Sequence, residues 1–193
     1  MKYGSSNSKY CYQGTDILIN KLDIRTDDLL KEAESLFTAQ RLLELSATPF
    51  QGSFDLKHLQ QIHYYMFQDL YDFAGKIREE DISKGNTLFA KFQYIAQNTE
   101  MLFNELKSEK LLKETSVDEF SKRSAYYMSE LNIIHPFREG NGRTIREFIR
   151  CLALSCGYIL NWNSVDKDNL LDASIKSVNN YEHLARCIRK SIV

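Results

Sequence analysis

Two prolines and eight glycines in 193 residues are too few turn formers for an all-β sandwich or barrel, which needs a turn about every 8–12 residues. That scarcity leaves long uninterrupted stretches with apolar residues at helical spacing. It predicts a mostly helical chain, and it makes the place of each proline and glycine informative. The length suits one domain, 1–193, with residues 1–25 as an N-terminal extension. Lysine plus arginine total 25 against 26 acidic residues, a net charge of -1, so no direct nucleic-acid binding is expected. The first ten residues carry no apolar signal region, and no run of about 18 apolar residues follows. Neither a secretory leader nor a membrane span is expected. Cys11, Cys151, Cys156 and Cys187 lack CxxC spacing and read as reduced structural thiols of a cytoplasmic protein.

Helical periodicity begins at Thr26, a candidate N-cap followed by Asp27 and Asp28 at the positive helix end. Leu29, Leu30, Ala33, Leu36, Phe37 and Leu43 supply its apolar positions, and Pro49 and Gly52 end the segment. A second helix is predicted over about 55–73, with Gly75 as a left-handed cap. Residues 76–92 break the rhythm around Lys84-Gly85-Asn86, the one plausible hairpin, because Gly and Asn tolerate positive φ. Helices follow over about 94–106, from a capping box at Ser116-Val-Asp-Glu119 to about 134, from about 141 to 157, and in two shorter stretches. The class is all-α, a compact helical bundle with one small hairpin.

Chemistry concentrates in HPFREGNGRTIR, 135–146. Pro136 ends the preceding helix at His135. Glu139, Gly140, Asn141 and Gly142 form a small-residue loop whose N–H groups can converge on an anion, and the next helix offers its positive end to the same anion. Arg143 and Arg146, three apart, share a face, and guanidinium forks match phosphate oxygens. Together these describe a polyphosphate cradle. Glu139 is suited to hold Mg2+ against the phosphates. His135, with an ordinary pKa of about 6.5, is suited to act as a base. Phosphoryl or nucleotidyl transfer to a hydroxyl follows as the expected chemistry. His58, His63 and His183 read instead as packing or surface residues.

The segment resembles the signature of the Fic family, HxFx(D/E)GN(G/K)RxxR, at every specified position: His135, Phe137, Glu139, Gly140, Asn141, Gly142, Arg143 and Arg146. Residues 62–78 are similar to the family's helix leading to its flap, and 82–92 to the flap itself, so the resemblance spans about 55–160. It implies a Fic fold and transfer of AMP from ATP to a Tyr, Thr or Ser hydroxyl of a protein target. His135 would be the base and Glu139 the Mg2+ ligand. Asn141 and the backbone at Gly140 and Gly142 would line the anion hole, with Arg143 on the outer phosphates and Arg146 on the γ-phosphate. Pro136 and Phe137 would anchor the loop. A flap at about 79–92, with Ile82, Lys84, Gly85, Asn86 and Phe89, would align the target by β-strand addition. Gly142, where some members carry lysine, favours AMP transfer over phosphorylation.

Many members are silenced by a helix bearing (S/T)xxxE(G/N). Here only Thr115 with Glu119 has the spacing, and Phe120 follows it. A separate small inhibitory protein supplying a glutamate to Arg146, as in the family's toxin–antitoxin pairs, is therefore expected, with constitutive activity as the competing reading. The alternatives are another nucleotidyl or phosphoryl transfer, AMP removal by the same site, or a catalytically silent nucleotide-binding module.

Overall fold

The computed structural model describes residues 8–85 and 87–193. Their elements are α1 (Asp27–Ala47), α2 (Leu56–Phe67), a hairpin of β1 (Ser83–Lys84) and β2 (Thr87–Leu88), α3 (Ile95–Ser108), α4 (Val117–Ile134), α5 (Asn141–Ser155), α6 (Lys167–Lys176) and α7 (Glu182–Ser191). The sequence-based expectation of a helical bundle with one hairpin holds.

Local chemistry accounts for the central pair. Ser116 Oγ accepts the Glu119 N–H at 3.2 Å and opens α4, as its capping pattern predicts. At the far end His135 takes a left-handed conformation, φ 50° and ψ 63°, directly before Pro136 and closes the helix. Gly140, also left-handed at φ 79°, starts α5. Ile145, Phe148, Ile149 and Leu152 of α5 are fully buried, against α2 and α4. α4 in turn packs on α3, α6 and α7, so the two helices flanking the motif form the centre of the core. A loop strung between such helices has fixed ends.

Three expectations are corrected. Thr26 occupies the N-cap of α1, but its side chain makes no capping bond. On that helix Leu30 and Leu45 are buried, whereas Leu29, Leu36 and Leu43 face solvent. α2 ends at Phe67, and residues 68–75 continue as turns. Gly75 is left-handed as expected, at φ 75°, but it closes those turns rather than capping α2.

Residues 8–25 are built into the molecule. Lys21 N–H donates to Leu70 O at 2.8 Å. Ser8 Oγ donates to Glu80 at 2.6 Å, and Glu79 N–H donates to the Tyr10 hydroxyl at 3.0 Å, tying this segment to the foot of the hairpin. All four cysteines are free thiols. No helix among the described residues is long and apolar enough to cross a membrane.

Candidate active site

The loop between α4 and α5 is held by its own side chains. Asn141 Oδ1 accepts the Phe137 N–H at 2.9 Å, and Asn141 Nδ2 donates to Phe137 O at 2.8 Å. Both residues are almost completely buried. The Asn141 side chain is therefore spent inside the loop, and what it can offer an anion is its backbone N–H. Gly140 is also corrected, because its N–H donates to Glu139 Oε1 at 2.8 Å. The donors left for an anion are the N–H groups of Asn141, Gly142 and Arg143, which have no intrahelical carbonyl in the first turn of α5. Only a glycine fits at 140: a Cβ there would lie 2.2 Å from Phe67 Cζ.

His135 sits at the mouth of this loop with 8% of its surface exposed. Its Nδ1 lies 3.0 Å from Asn132 O. A carbonyl only accepts, so Nδ1 carries the proton and Nε2 is the basic nitrogen. Burial pushes its pKa down to about 3, with the charges of Arg78 and Lys84 acting in the same direction, so the ring is neutral at physiological pH. Phe89 stacks on it at 3.8 Å.

The cationic side chains behave differently from each other. Arg143 is paired with Glu34 of α1, donates to Thr38 Oγ1 at 3.3 Å and lies 4.9 Å from the centre of the Phe67 ring. Arg146 is half-buried, and among the described residues its guanidinium has no acidic partner. Burial and the like charge of Arg143 push its pKa down. Both arginines line a cavity of about 320 Å³ with Glu34, Thr38, Lys31 and Lys167. Gly142 lies beside Arg146, whose Nη1 would be 3.4 Å from a Cβ at that position. Burial pushes the Glu139 carboxyl up, and the Glu34 charge adds to it.

The hairpin meets this loop from the other side, in the register Ser83↔Leu88 and Lys84↔Thr87. Gly85 takes the left-handed turn at φ 60°, and Asn86 lies outside the described residues. Lys84 is exposed, but Ile82 is buried and turned into the protein. Its side chain is thus removed from the expected docking set, and Phe89 faces the histidine.

The Fic/DOC family model matches residues 53–153, more than half of the chain. The chain belongs to the Fic/DOC family. This Fic/DOC chain is 41% identical over 192 residues to "Protein adenylyltransferase VbhT" of Bartonella schoenbuchensis, covering 99% of itself but 40% of that longer protein. It is 37% identical to "Probable protein adenylyltransferase Fic" of Escherichia coli K12, covering 86% of itself and 82% of the relative. Among solved structures, it resembles the N-terminal Fic domain of a VirB-translocated Bep effector from Bartonella quintana with bound ADP. The TM-score is 0.88 at 26% identity, covering 95% and 94% of the two chains.

Two site residues escaped the sequence-based reading of this Fic/DOC chain. Glu34 lies on α1, 109 positions from Arg143. His63 was expected to be mere packing, and it does stack on Phe137 at 3.9 Å. Its Nδ1 also accepts the Gly75 N–H at 2.7 Å, which leaves Nε2–H to donate to Glu139 O at 3.0 Å. It thereby holds the peptide that opens α5. An apolar helix face containing a histidine was the sole signal, and that alone does not distinguish a packed ring from a bonded one.

Proposed function

We propose that this chain is a protein adenylyltransferase, moving AMP from ATP to a Tyr, Thr or Ser hydroxyl of a protein target and releasing pyrophosphate. One observation carries the reading. A histidine in its neutral base form and a helix N-terminus carrying two arginines stand at the two ends of one short loop. The names of VbhT and the E. coli relative, and the ADP bound to the B. quintana domain, support it.

His135 Nε2 takes the proton of the target hydroxyl, the oxygen attacks the α-phosphate, and pyrophosphate leaves in line. The first-turn N–H groups of α5 neutralise the charge that develops. Arg143 and Arg146 hold the outer phosphates. The flap docks the target as an added strand, and Pro136 and Phe137 anchor the loop. Mg2+ fits beside Glu139 by the chemistry of its donor: Oε1 accepts the Gly140 N–H, and Oε2 would be a hard carboxylate oxygen for the ion. Among the described residues no three His, Cys, Asp or Glu side chains could hold a metal alone, so Glu139 would share the ion with phosphate oxygens. When bound, the ion supplies charge neutralisation on the phosphates.

The same reading takes the chain as one catalytic domain working in the cytoplasm. That Arg146 has no acidic partner among the described residues supports a small inhibitory protein that supplies a glutamate there, in the manner of an antitoxin. The deciding assay incubates the protein with α-labelled ATP, Mg2+ and cell lysate beside a His135→Ala control. Label on protein that depends on His135 is the expected result. Label that survives the substitution would overturn the mechanism, and label from γ-labelled ATP alone would make the chain a kinase.

A further inference from the structure

We propose that Arg78 is a positioning residue that locks the flap and the catalytic base into one geometry. The inference rests on the adenylyltransferase reading for its kinetic consequence, though not for its structural one. Arg78 lies between the turns that follow α2 and the hairpin, and its side chain is 1% exposed. Its Nε–H donates to His135 O at 2.8 Å and Nη1 to Glu80 O at 2.6 Å. Nη2 donates to Ala90 O and, at 3.3 Å, to Ile134 O. The backbone joins in: Arg78 N–H donates to Pro136 O at 2.9 Å, and Ala90 N–H to Ile133 O at 3.1 Å.

These acceptors belong to three separate segments. Glu80 and Ala90 stand at the two feet of the hairpin, before β1 and after β2. Ile134 and His135 close α4, where terminal carbonyls lack intrahelical donors and a cation is favoured by the helix dipole. A planar guanidinium with five donors can serve carbonyls in several directions at once, and an ammonium point charge cannot. One side chain therefore sets where both flap strands begin relative to the base. Phe89, next to Ala90, is brought onto the imidazole by the same clamp. The clamp acts on target presentation and base alignment.

Arg78→Lys should leave the affinity for ATP within about twofold while AMP transfer falls at least about tenfold. Amide exchange at 87–90 should quicken in the same variant. A fall in transfer matched by an equal loss of ATP affinity or of folded protein would reduce Arg78 to a structural role and overturn the inference, as would unchanged transfer. Should Arg78→Lys fail to fold, Thr87→Pro perturbs the flap from its exposed strand. It is expected to shift the ¹⁵N resonances of the His135 ring and of Arg78 Nε; unmoved resonances would sink the clamp. Because exchange and ring shifts need no turnover, they still decide the matter in a protein that transfers no AMP, which separates failure here from failure of the proposed reaction.

Discussion

The loop at 135–146 and the hairpin tip at 83–88 lie on either side of the same histidine and are built in opposite ways. The loop is closed by reciprocal Asn141–Phe137 bonds, stacked against His63 and sealed by Phe67 where Gly140 passes. The tip has two residues per strand, and Leu88 is 83% exposed. A loop so over-determined can hold a nucleotide to tight tolerance. A short exposed ladder offers a partner backbone hydrogen bonds and few side-chain pockets, which suits placing a hydroxyl without reading much of the sequence around it.

The contrast can be broken at four points. Gly140→Ala combines a left-handed backbone with an overlap on Phe67, so a loss of about 2–5 kcal/mol in chemical unfolding is expected, with transfer abolished. Arg146→Ala removes a charge-assisted phosphate contact and should weaken ATP binding about 10–100-fold by calorimetry, at unchanged melting temperature. Acid should act on the buried side alone. Burial holds the pKa of both His63 and His135 down to about 3. As pH falls below about 6.5 the unfolded chain takes these protons first. Stability is then full above about 6.5 and declines towards about 3, with a slope of about 1.4 kcal/mol per pH unit for each ring. Denaturant titrations across that range check it, and a flat response would mean the rings are less buried than described. Smallest, Leu88→Ala should change stability by less than about 0.5 kcal/mol and alter only the KM for a protein target.

Much of this was legible in the chain because its signals are local. The Ser116 hydroxyl, the proline after His135 and the glycine before Asn141 mark helix ends within a few residues of their cause. The motif is contiguous, so its chemistry could be read as a string. Glu34 could not be read that way, since nothing near Glu34 or Arg143 announces a pairing between them. Periodicity on α1 identified an apolar face, but whether a face is covered depends on neighbours: Leu36 is 71% exposed while Leu30 on the same helix is buried. The inward turn of Asn141 was hidden for a related reason, since an amide in a phosphate loop can serve either the phosphate or the loop.

The burial that keeps the His135 ring neutral, with its pKa near 3, also makes it a weak proton acceptor. Negative charge brought close to an imidazole raises its pKa. In the proposed reaction the triphosphate would bring such charge towards the loop, making the ring a better proton acceptor with ATP bound than without it.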